Sequence, residues 1–124
     1  MKHTEKNALD IAKSFAELLG LEDKEIKIIF GPEHPIGSAG VRLLKDCIEV
    51  EDTEDFDTIE ITLFDISEFK LSGWLENVNF HSMICHEMVH AKYPQWSEDK
   101  VADYASELIG FLMKKLEEKY SRKS

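Results

Sequence analysis

Phe80-His81-Ser82-Met83-Ile84-Cys85-His86-Glu87-Met88-Val89-His90-Ala91-Lys92 is the stretch that decides how the rest of the chain is arranged. Phe80, Ile84, Met88 and Ala91 recur at helical spacing and make one apolar stripe. Val78, Cys85 and Val89 line the other flank. A helix apolar on two sides is packed from two sides, so this helix is central to the fold. His86 and His90 lie on the strip between the two flanks. Residues four apart sit one turn apart on the same helical face, so both imidazoles can reach one metal ion. Glu87 is about a quarter-turn round, near enough to meet a water at that ion without being a ligand. Divalent zinc needs this combination, neutral nitrogen ligands with a carboxylate base, to make and use a hydroxide near neutral pH. His81 points away from this face by helical angle, so a structural role is assigned to it.

Outward from this helix, the chain reads as an α+β fold. Thr4 to Leu19 predicts an amphipathic helix on Ala8, Ile11, Ala12, Phe15, Leu18 and Leu19, with Thr4 as N-cap and Gly20 as the stop. Ile26 to Phe30 is a short β-rich run. Residues 31–40, dense in Gly and Pro, form a loop that carries His34, which is read as solvated. Val41 to Leu44 and Cys47 to Val50 are two further strands, or one strand broken at Lys45-Asp46. Glu51 to Asp57 is an acidic turn without the spacing of an EF-hand loop. Thr58 to Phe64 alternates, with Ile59, Ile61 and Leu63 facing one way, and predicts a half-buried strand. As an edge strand above a metal cleft it could pair with an extended peptide, and the plain reading, an ordinary sheet strand, stands equally beside that. Asn77 or Asn79 is the expected N-cap of the central helix, and Pro94 its end. Ser97 caps a last helix that runs to about Lys119 on Val101, Ala105, Leu108, Leu112 and Leu116.

The architecture expected is therefore a small sheet of three to four strands packed on an N-terminal helix, the H-E-x-x-H helix and a long C-terminal helix. The whole of 1–124 is read as one domain, a length that suits one core. A net charge of −10 argues against nucleic acid, whose phosphates are bound by Lys and Arg. No apolar run approaches the roughly 20 residues of a membrane helix, and Met1 to Lys6 has no apolar signal core. The reading is a cytoplasmic protein with two reduced cysteines, Cys47 and Cys85. Gln95 is the only glutamine, and with abundant Lys and Glu this hints at a hot environment.

Two histidines do not complete a catalytic zinc site, which uses three protein ligands and a water. No histidine follows His90. The turn at Pro94 folds the last helix back beside the central one, so its first turn, with Glu98 and Asp99, lies near the site. Asp103 follows Asp99 by four. Like charges at that spacing repel, unless Asp99 binds the metal and Asp103 accepts the N–H of a ligating histidine. The plain reading, an acidic start that suits the helix dipole, stands beside this one.

His86-Glu87-Met88-Val89-His90 followed by Asp99-Lys100-Val101-Ala102-Asp103 resembles the gluzincin zinc metallopeptidases, whose third ligand is a glutamate on a helix after H-E-x-x-H, often within E-x-x-A-D. The short chain is similar to the minigluzincins, which resemble catalytic domains of membrane peptidases of the CAAX prenyl protease type. The match covers His86 to Ala105. Register on Ala102-Asp103 places Asp99 at the third-ligand position, with Glu98 one residue off as the alternative. The resemblance implies a zinc metalloendopeptidase acting on a peptide or protein, with zinc on His86, His90 and Asp99, Glu87 as general base and acid, and Asp103 behind a ligating histidine. It also implies a latent form or zymogen, in which 115–124 covers the cleft or remains a mobile tail, or in which the C-terminal helix pairs two chains as a homodimer. Two other readings stay open: a catalytically silent zinc-binding scaffold or regulatory protein, and a deformylase-like hydrolase with Cys47 as third ligand.

Overall fold

A computed structural model describes residues 4–31, 39–50, 55–64 and 74–121, with side chains at all of these except 64, 74–79 and 115–121. The fold is α+β, three helices with a four-stranded mixed sheet. The first helix, α1, spans Glu5–Leu19 and begins where Thr4 Oγ1 accepts the Asn7 N–H at 3.1 Å. It ends at Gly20, whose φ of 72° lets the Leu21 N–H return to the Ala16 carbonyl. Ala8, Ile11, Ala12, Phe15, Ala16 and Leu19 are its buried face.

The strands are β1 (Glu25–Gly31), β2 (Ala39–Lys45), β3 (Ile48–Glu49) and β4 (Thr58–Phe64), in the spatial order β1-β4-β2-β3. β1 runs parallel to β4, while β2 is antiparallel to both β4 and β3. Ile26, Ile28 and Phe30 pair with Ile59, Ile61 and Leu63, which in turn face Leu43, Val41 and Ala39. The two-residue period of a strand therefore puts all nine on one face, against the helices. Arg42 and Glu60, directly opposite across β2 and β4, join on the other face at 2.9 Å.

β2 and β3 are two strands. The break at Lys45-Asp46 is a tight hairpin, with Asp46 and Cys47 both at positive φ and Lys45 paired to Ile48. The Asp46 N–H is held by Asp57 Oδ2 at 3.1 Å. That bond, with the Thr58 hydroxyl, keeps the Asp57 carboxyl below its ordinary pKa. Of the two readings of its alternation, β4 takes the ordinary sheet strand and not the edge strand. It lies between β1 and β2, with Glu60 as well as Ile59 and Ile61 buried. The parallel partner β1, separated from it in sequence by β2 and β3, fills one of its sides.

The second helix, α2, spans Trp74–Lys92, and the third, α3, spans Glu98–Ser121. Asn77 and Asn79 lie inside α2, which begins before them at Trp74, so neither stands at the N-cap position. α2 packs against α1, α3 and β2. Phe80, Ile84, Cys85, Met88, Val89 and Ala91 are all buried. The two apolar flanks thus meet α1 and the sheet on one hand and α3 on the other. Among the described residues no helix is long and apolar enough to cross a membrane. His34 and residues 51–54 of the acidic turn lie outside the described residues, as do the side chains of the candidate latency segment 115–124.

Candidate metal centre

His86 and His90 leave the same face of α2, with ring centroids 4.8 Å apart and planes at 69°. Their Nε2 atoms are 3.1 Å apart. Glu98, the first residue of α3, reaches both: Oε2 lies 3.0 Å from His86 Nε2 and Oε1 lies 2.8 Å from His90 Nε2. The three side chains converge from two helices joined by a five-residue connection, residues 93–97. Ser97 Oγ accepts the Lys100 N–H at 3.3 Å, so Ser97 is the cap that starts α3 with Glu98 facing α2.

The third partner is therefore Glu98 and not Asp99, which the register on Ala102-Asp103 favours. Asp99 is exposed and has no side-chain partner among the described residues. Asp103 is likewise exposed, and the hydrogen bonds at both Nε2 atoms run to Glu98 and between the rings, none to Asp103. Cys47 is exposed at the hairpin tip and is no part of the group. The physical reason for the shift is the short connection: α3 starts at Glu98, and at the first helical position a side chain leans back toward the preceding turn.

His86, His90 and Glu98 could hold a metal ion, their candidate ligand atoms all lying within 4.8 Å of one another. Tetrahedral zinc with arms of about 2.0–2.2 Å needs ligand atoms roughly 3.3–3.6 Å apart, so only a small expansion fits one. Protonation decides what the cluster does. With protons at Nε2 both imidazoles donate to Glu98. With protons at Nδ1 the nitrogens and the carboxylate aim lone pairs at a common point, as a cation requires. The Glu98 carboxyl is held below its ordinary pKa, first by the hydrogen bond with His86 and then by the charge of His90 and His86. It is ionised at neutral pH and ready to ligate.

Glu87 is placed differently. It is only 8% exposed, and burial pushes its carboxyl up to about 7, with His86 opposing the rise and Glu98 adding to it. A carboxyl of that affinity exchanges protons near neutral pH. Cys85, by contrast, is pushed up to about 12 by burial and donates to the Ala105 carbonyl at 3.6 Å, so it is an inert packing group.

The site opens into a cleft of about 540 Å³. One wall is His86, Glu87, His90, Pro94 and Glu98; the other is residues 39–43 of β2 with Glu49 and Val50. No motif marked the second wall. The Leu43 carbonyl accepts the Val50 N–H, so the backbone groups of Leu43 face away from β4. Alternation then turns the N–H and C=O of Val41 and Ala39 the same way. β3 pairs only with Leu44 and Lys45, so among the described residues the cleft side of β2 is unpaired at 39 and 41. The sequence reading gave these two strands equal lengths, Val41 to Leu44 and Cys47 to Val50, whereas in the structure β2 has seven residues against two in β3. Comparison with protein-family models, with curated proteins and with solved structures finds no match to this chain.

Proposed function

We propose that this protein is a zinc-dependent peptidase in which His86, His90 and Glu98 hold the ion and Glu87 is the general base and acid. The observation that carries the reading is the meeting, in one open cleft, of a three-ligand group with a buried carboxyl next to it in sequence. Zinc in a site with two imidazoles, one carboxylate and an open position polarises a carbonyl and acidifies water. Beside such an ion, Glu87 would take the proton from the attacking water and pass it to the leaving amine, a role for which its place in the cleft next to His86 suits it. The edge of β2, unpaired at 39 and 41 among the described residues, supports a peptide as substrate. An extended chain laid along Ala39 and Val41 gains main-chain hydrogen bonds and runs past His86 and His90.

The test is a pair of measurements on Glu87→Gln. Zinc content by elemental analysis should equal that of the unaltered protein, while cleavage of a broad peptide library, read by mass spectrometry, should fall by about 10²–10⁴-fold. Retained cleavage contradicts the mechanism. Zinc bound tightly by the unaltered protein without any cleavage favours the silent scaffold.

A further inference from the structure

The connection between α2 and α3 carries a cluster that the peptidase reading does not use. Tyr93 and Trp96 stack with centroids 3.8 Å apart and planes at 3°. Tyr104, almost two turns into α3, meets both edge-on, at 5.8 Å from Tyr93 and 5.6 Å from Trp96. The Lys100 ammonium sits 4.3 Å from the Trp96 ring centroid, on the face that Tyr93 leaves open. Offset-stacked and edge-to-face arrangements are the favourable ones for aromatic pairs, and a cation over indole adds to them.

We infer that Trp96, with Tyr93 and Tyr104, forms an aromatic clamp that positions Glu98 over His86 and His90. The inference rests on the metal-site reading and deepens it. Tyr93 belongs to the end of α2, its N–H bonded to the Val89 carbonyl at 2.9 Å. Trp96 is tied back to it by a bond from the Trp96 N–H to the Tyr93 carbonyl at 3.1 Å. Tyr104 belongs to α3. The three rings thus bind the end of one site helix to the body of the other, across the connection whose path sets where α3 begins. Glu98 is two residues from Trp96. Its carboxylate is 76% exposed and, among the described residues, is held only by the two histidines. Such a side chain brings no packing of its own to hold it in place, so the backbone under it must be fixed. Lys100 is part of the device: lying on Trp96, it is not paired with Glu98, which leaves that carboxylate to the imidazoles.

Trp96 is a positioning residue, and a double-mutant cycle with Zn²⁺ as the probe tests it. Trp96→Ala, Glu98→Ala and the double variant are titrated with Zn²⁺ by calorimetry against a chelator. Thermal unfolding of each metal-free protein is read alongside, and Co²⁺ absorption reports the ligand geometry. In the Glu98 background, Trp96→Ala weakens Zn²⁺ binding by about 10–100-fold, the range for groups that orient a ligand. In the Glu98→Ala background the same change costs less than about twofold, because the ligand it positions is gone. Trp96→Phe, which keeps a stacking face, restores most of the affinity. If Trp96→Ala does not fold, Tyr104→Leu takes its place, removing one ring from the clamp and leaving an apolar residue. Equal losses in both backgrounds, or Zn²⁺ bound by folded Trp96→Ala as tightly as by the unaltered protein, overturn the clamp. An unaltered protein that binds no Zn²⁺ overturns the metal centre and the clamp with it.

Discussion

Glu98 and Asp99 are adjacent acids on the same exposed first turn, yet one meets two imidazoles and the other meets nothing described. The difference is a rotation of about 100° about the helix axis. It makes a sharp prediction: Glu98→Ala should weaken zinc binding by several orders of magnitude, and Asp99→Ala should leave it within about twofold, both read by calorimetry. Asp99→Ala losing zinc as Glu98→Ala does would return the ligand to the position that sequence register favours. Glu87 makes a second prediction, on the metal-free protein held in chelator. Burial raises its folded pKa to about 7 from an ordinary 4.5. Across that window the folded state keeps a proton that the unfolded chain releases. Its share of stability is therefore full below the ordinary value and is lost as pH rises to about 7. At about 1.4 kcal/mol per unit, the loss is on the order of 3 kcal/mol. Denaturant unfolding at pH 5 and pH 8 should show the fall, and Glu87→Gln should flatten it. An equal slope in the two proteins would contradict the buried acid.

At the scale of elements, the local patterns read true where one segment decides its own form. The apolar spacing of Ala8 to Leu19 with Thr4 and Gly20 gave the bounds of α1, and the alternation of Thr58 to Phe64 gave β4. What local pattern could not supply was who stands next to whom. An edge strand and a central one alternate alike. Glu60 stands between Lys27 of β1 and Arg42 of β2, a placement that only the assembled sheet shows. The choice between Glu98 and Asp99 was hidden for the same reason, because it depends on where the short connection starts α3 beside α2. The open edge of β2 gives a prediction of its own. A proline at position 41 deletes the outward N–H without breaking a bond to β4, since that residue's backbone groups face the cleft. Val41→Pro should raise KM for peptide cleavage by up to about tenfold, the scale of one hydrogen bond, and leave zinc affinity unchanged. An unaltered KM in a folded variant would remove strand addition from the binding mode.

Across the whole molecule, the arrangement is a helix pair braced on a small sheet, with the candidate centre where helix end, helix start and sheet meet. α2 is buried against α1 and β2 on its far side and against α3 on its near side, so His86 and His90 stand on a helix packed from both sides. Glu98 arrives on the opposite partner, and the cleft between α2 and β2 lies open beside them. The net charge of −10 makes the molecule acidic as a whole. Everything proposed for function depends on whether an ion sits on these three side chains. The measurement that decides it is anomalous scattering at the zinc edge from crystals of the protein grown with zinc. The predicted result is one strong peak about 2.0–2.2 Å from His86 Nε2, His90 Nε2 and a Glu98 carboxylate oxygen, with Glu87 beside it and not ligating. A peak held by Asp99, or none between the two histidines, would contradict it.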